Sequence, residues 1–153
     1  MSVSHAEFTI ERRYRHSPER AFSAFADPEL KRQWFANPGN WANGEWRLDF
    51  RVGGTEINRG GDPGGRYNEF EATYHDIVDD ERIVYAYDLL HDSRLISVSL
   101  TTIEFFPEDD GSRVAFTEQG AFFNEPDGPA QREHGTGELL DMFGAFLDRE
   151  TER

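Results

Sequence analysis

Apolar and polar residues alternate along most of this chain, and the places where that period changes divide it into elements. From Glu7 to Tyr14 the apolar residues Phe8, Ile10 and Tyr14 fall on alternate positions, with Arg12 breaking the set, which predicts an amphipathic strand. The period then shifts in HSPERAFSAFADPELKRQWF. Ser17 is placed as an N-cap with Pro18 at the first helical position, and Ala21, Phe22 and Phe25 continue as a short helix; Asp27-Pro28 restarts a second one carrying Leu30, Trp34 and Phe35 on one side. In EWRLDFRVGG strict alternation returns, with Trp46, Leu48, Phe50 and Val52 on the expected dry face.

Gly53-Gly54 and the run RGGDPGGRY bracket a short segment, TEIN, and lead into a long alternating stretch through Phe70, Ala72 and Tyr74. Glycine clusters between strand-like runs predict a hairpin loop; a phosphate loop is excluded because neither a helical pattern nor a Lys-Ser/Thr pair follows Gly65. Three further strands are separated by the turn signals Asp79-Asp80, His91-Asp92-Ser93 and Asp109-Asp110-Gly111, and such short links require antiparallel pairing. After NEPDGP, residues Leu139, Met142, Phe143, Phe146 and Leu147 recur at helical spacing and predict one long closing helix, able to lie across the sheet.

With 153 residues and no repeat, one domain over residues 1–153 is expected. Thirteen Phe, five Tyr and three Trp supply large rings for its interior. The formal net charge of −14 would repel phosphate backbones and anionic headgroups, so no nucleic-acid partner and no membrane insertion are expected, although a neutral lipid could still enter an apolar cavity. The absence of Cys excludes disulfides, thiolate metal sites and thiol nucleophiles. The N-terminal residues lack the apolar run of a signal peptide, and a cytoplasmic location is expected.

Strand, two short helices, a meander of about six strands and a long helix is the order of a helix-grip fold. The pieces FTIERRYRHSPERAFSAFADPELKRQWF, LDFRVGG, YHDIVDDERIVYAYD, ISVSLTTIEFFP, RVAFTEQGAF and REHGTGELLDMFGAFL resemble the activator of heat-shock-protein-90 ATPase homologue branch of the START, or birch-pollen-allergen-like (SRPBCC), superfamily. The likeness runs from about Phe8 to Leu147 and departs at Gly137-Glu138, where many members carry Gly-Trp. It implies an α+β fold in which a curved antiparallel sheet of about six to seven strands wraps around the C-terminal helix, with an apolar cavity between them. It also implies three kinds of activity: binding of lipids, steroids or hormones, cyclisation or dehydration of polyketides, and action on a chaperone.

The three tryptophans fall within residues 34–46. Trp34 and Trp46 are expected at the cavity wall and Trp41 at its rim, with an ordinary packed corner as the alternative. Tyr85 and Tyr87 share a strand face and are either ligand donors or satisfied within the core. In FTEQGAF either Glu118 or Gln119 turns inward and then needs a partner, for which Arg12, Arg51 and Glu56 are candidates. His134 and Glu138, four apart, could share a helix face, so His134 and Glu118 are the weak acid–base candidates, while Gly135 and Gly137 would let the helix approach the sheet.

The five His are scattered without metal-ligand spacing, and no nucleophile elbow or dinucleotide fingerprint is present. No metal and no cofactor are expected. The leading reading is a domain that binds a small hydrophobic or aromatic molecule between the closing helix (Leu139, Met142, Phe143, Phe146) and the sheet (Trp46, Phe50, Tyr85, Tyr87, Val98, Gln119). A cyclase or dehydratase and a chaperone-interacting module are the alternatives. No residue supports the chaperone, and a homodimer is expected only from the general frequency of two-fold oligomers.

Overall fold

A computed structural model describes residues 2–35, 42–61, 64–125 and 127–151. The chain runs β1 (Val3–Tyr14), α1 (Pro18–Ala26), α2 (Pro28–Trp34), β2 (Ala42–Leu48), β3 (Thr55–Gly61), β4 (Tyr67–Val78), β5 (Arg82–His91), β6 (Arg94–Glu108), β7 (Gly111–Phe123) and α3 (Gly128–Thr151). The seven strands form one curved antiparallel sheet in the order β1-β7-β6-β5-β4-β3-β2, so β1 crosses over to pair with the last strand. This is the α+β helix-grip arrangement that the pattern predicts.

Local chemistry explains the boundaries. Ser17 caps α1 by accepting from the Arg20 amide at 3.1 Å, and Asp27 caps α2 by accepting from the Glu29 amide at 2.9 Å, each with proline in the first turn. The hairpin turns hold Asp80, Asp92, Ser93 and Asp109 at positive φ, a conformation that Asp tolerates and that matches the twist of the flanking strands.

Two expectations change. β2 ends at Leu48 rather than Val52: residues 49–54 form a tight turn, and a Cβ on Gly54 would lie 2.1 Å from the Asp49 carbonyl. Val52 is therefore exposed, and Phe50 packs at the turn against Phe22 and Tyr74. The closing helix also starts at Gly128 and runs unbroken through Gly135 and Gly137. Its buried stripe is Thr136, Leu140, Phe143 and Leu147, with Phe146 beside it; Met142 is 43% exposed and faces away.

The inner face of the sheet is not uniform. At one end, Phe25, Trp34, Phe143 and Tyr14 interlock with ring centroids 4.6–5.3 Å apart. Tyr14 reaches under α3 and donates to the Leu140 carbonyl at 2.8 Å; Gly144 makes room, since a Cβ there would lie 2.8 Å from the Tyr14 ring. At the other end, toward the start of α3, the packing opens. No described helix is long and apolar enough to cross a membrane.

Candidate functional site

Between the first half of α3 and strands β4 to β7 lies a cavity of about 610 Å³. Phe70, Tyr85, Tyr87 and Leu89 line it from β4 and β5, Ile96, Phe116, Glu118 and Phe122 from β6 and β7, and Arg132, Gly135, Thr136 and Leu139 from α3. Strand alternation puts these sheet residues on one face, because Tyr85, Tyr87 and Leu89 are two apart, as are Phe116 and Glu118. Gly135 has nothing within 4 Å of where a Cβ would stand, so it opens space rather than permitting a close approach; Gly137 does approach β1, with the Arg12 guanidinium 3.3 Å from such a Cβ.

The floor of the cavity is a charged cluster. Glu118 is 2% exposed. Its Oε2 accepts from the Tyr87 hydroxyl at 2.9 Å and from Arg132 Nη1 at 3.2 Å, while Oε1 has a long 3.5 Å contact from Thr101 Oγ1. Arg132 also donates to the Tyr87 hydroxyl at 2.8 Å, to Ser99 Oγ at 3.4 Å and to Ser97 Oγ at 2.7 Å. Its guanidinium carbon stands 5.0 Å from the Phe122 ring centroid. Burial, then the neighbouring Glu118 charge, pushes the Tyr87 hydroxyl well above its ordinary range; burial first and then Tyr87 and Glu118 do the same to Tyr85. Both tyrosines therefore stay protonated and act as hydrogen-bonding groups.

A second buried cluster lies where α2 meets β3 and β4. Lys31 Nζ donates to Glu56 Oε1 at 2.7 Å, the Tyr74 hydroxyl donates to the same oxygen at 2.6 Å, and Trp46 Nε1 donates to Glu56 Oε2 at 3.1 Å. Glu56 is 0% and Lys31 2% exposed, and Lys31 Nζ sits 4.4 Å from the centre of the Phe35 ring. Neither Lys31, Glu56 nor Tyr74 lines the cavity.

Of the residues expected at a ligand site, the structure brings Tyr85, Tyr87, Glu118 and Leu139 to the cavity. Val98 and Gln119 are corrected: both are exposed on the outer face of the sheet, because Ser97, Ser99 and Glu118 take the inner positions of β6 and β7. Met142 is on the outer side of α3. Trp34 is a packed corner, its indole N–H donating to the Ala24 carbonyl at 2.9 Å, and Phe143 and Phe146 are likewise core. Trp46 and Phe50 support the second cluster and the β2–β3 turn instead of lining the cavity. Trp41 lies outside the described residues.

His134 and Glu138 do pair on one helix face at 3.4 Å, but their side chains are 79% and 67% exposed and point away from the sheet cavity, which removes His134 as a buried base. The partner of Glu118 is none of the three proposed. Arg12 reaches Asp141 at the surface, Arg51 pairs with Asp49, and Glu56 with Lys31; Arg132 takes the role.

Among the described residues no group of three or more His, Cys, Asp or Glu is placed to hold a metal. The signal for Arg132 is its spacing, four residues before Thr136 and eight before Leu140, on the buried stripe of α3. Lys31 is likewise three residues before the buried Trp34.

A seven-stranded sheet gripping a long C-terminal helix, with a cavity between them, is the helix-grip architecture of the START-like proteins. The family of activator of Hsp90 ATPase homolog 1-like proteins matches residues 15–148, and the chain belongs to it. It is similar to a putative uncharacterized protein from Rhizobium leguminosarum, with 43% identity, 97% of each chain covered and a TM-score of 0.91. It is also similar to the Mll3558 protein from Rhizobium loti, with 44% identity, 95% of this chain and 99% of that one covered, and a TM-score of 0.88. The protein of unknown function SA2116 from Staphylococcus aureus, 20% identical over 99% of this chain and 98% of that one with a TM-score of 0.82, shares the fold. No curated protein gives a match.

Proposed function

We propose that this protein binds a small, mostly apolar molecule in the cavity between α3 and the sheet. Its body would lie against Phe70, Tyr85, Phe116 and Leu139, and one polar group would meet Arg132, Glu118 and Tyr87. The observation that carries the reading is the coincidence of about 610 Å³ of space with an aromatic wall and a buried charge cluster at its floor. Protein interiors are otherwise close-packed, and ligand pockets combine an apolar lining with a few convergent polar groups at this scale.

The test is native mass spectrometry of protein purified from its own host, compared with a Leu139→Trp variant that fills the cavity. The expected result is a non-covalent adduct on the natural protein, absent from the variant. An adduct retained by the variant would place the bound molecule elsewhere, and a clean mass together with no saturable binding of small aromatic probes would remove the reading.

A second reading, acid–base chemistry on the bound molecule, draws on Glu118 alone among the earlier candidates. It is buried beside the cavity, and among the described residues its Oε1 is held only by the 3.5 Å contact from Thr101. Recovery of the identified ligand chemically unchanged after prolonged incubation with the protein would eliminate it.

A further inference from the structure

The charges at the cavity floor already cancel. Glu118 and Arg132 are one anion and one cation 3.2 Å apart, with side chains 2% and 14% exposed. Arg66 and Glu125, which also line the cavity, again contribute one charge of each sign. What remains unfilled is hydrogen-bonding capacity. Arg132 gives Nη1 to Tyr87, Ser99 and Glu118 and Nη2 to Ser97, and among the described residues nothing accepts from its Nε. Glu118 Oε1 has one long contact. The two neighbouring residues that line the cavity thus keep a spare donor and a spare acceptor between them.

Building on the cavity reading above, we infer that the polar group of the ligand is uncharged and both accepts and donates hydrogen bonds, as a carboxamide or lactam does. A carboxylate would meet the guanidinium but face Glu118, and an ammonium would meet Glu118 but face Arg132. Either brings a third charge beside a buried ion pair that is already balanced and leaves it uncompensated, a repulsive element that selects against charged analogues. A hydrocarbon would leave the spare donor and acceptor desolvated without partners. A carboxamide fills both, its carbonyl accepting from Arg132 and its N–H donating to Glu118 Oε1.

Four matched probes test this at pH 7 by protein-detected titration: biphenyl-4-carboxamide, biphenyl-4-carboxylate, biphenyl-4-ylmethylammonium and 4-methylbiphenyl. The carboxamide should bind at least about tenfold more tightly than each of the others. Glu118→Gln should move the carboxylate-to-carboxamide affinity ratio at least about tenfold toward the carboxylate. Because the readout is a ratio, a general loss of stability cancels. Arg132→Gln, which should move the ratio toward the ammonium, serves if Glu118→Gln does not fold.

A charged probe or the hydrocarbon binding as tightly as the carboxamide, or ratios unchanged in both variants, would overturn the inference while leaving the cavity reading intact. Failure of all four to bind would overturn the inference and, together with a clean native mass, the cavity reading as well.

Discussion

The two buried clusters are built from the same parts, one cation, one glutamate and one tyrosine, yet they stand in different surroundings. Lys31, Glu56 and Tyr74 are sealed, at most 2% exposed, with Trp46 closing the second carboxylate oxygen. Arg132, Glu118 and Tyr87 hold a similar geometry, but the arginine is part-buried at the edge of a cavity and the carboxylate keeps one oxygen loosely held. A buried ion pair repays its desolvation only when its hydrogen bonds are complete. In the sealed cluster both carboxylate oxygens of Glu56 are held at 3.1 Å or less, and the cluster pins α2 to the sheet. The open one is incomplete among residues that line a cavity, the arrangement expected of a binding site.

Breaking each cluster separates the two roles. Glu56→Ala leaves Lys31 buried without its counter-ion and should destabilise the protein by about 3–5 kcal/mol in chemical denaturation. Glu118→Ala should cost less, about 1–3 kcal/mol, since water entering the cavity can solvate Arg132. Equal costs would mean that the second cluster is as structural as the first.

Alkali should act on both. Tyr74, Tyr85 and Tyr87 are all raised above the ordinary value of 10.0, chiefly by burial, so the folded chain holds protons that the unfolded chain releases. Their contribution is intact below about pH 10 and is lost as pH rises from there through the folded values, so the denaturation midpoint should fall above about pH 10. A midpoint flat to pH 11 would show that these hydroxyls are not held protonated. His134→Ala should change stability by less than about 0.5 kcal/mol and leave probe binding unaltered, because its pair with Glu138 is solvated.

The fold was legible because its signals are local and repeated: the caps at Ser17 and Asp27, the turns at 79–80, 91–93 and 109–111, and the period-2 strands between them. The site was less so, for a physical reason visible in β6. Apolar-inward alternation places Val98 inside, yet its inner set is Ser97, Ser99 and Thr101, while Val98 and Leu100 are each 40% exposed. The pattern is inverted there because the inner face serves a polar cluster.

In β7, glutamate and glutamine on adjacent positions gave no means of choosing, and the partner that decides it, Arg132, lies 14 residues further along the chain. Arg132 and Lys31 were concealed because a charged residue on a helix reads as surface, and only its spacing from buried neighbours shows otherwise.

Chemical-shift mapping of the isotopically labelled protein during titration with biphenyl-4-carboxamide tests the contrast between the two clusters most directly. Saturable shifts confined to Tyr85, Tyr87, Phe116, Glu118, Arg132 and Leu139, with Lys31, Glu56 and Tyr74 unmoved, are predicted. Shifts centred on Lys31 and Glu56, or on the outer face at Ala86, Val98 and Leu100, would contradict the assignment of the cavity as the binding site.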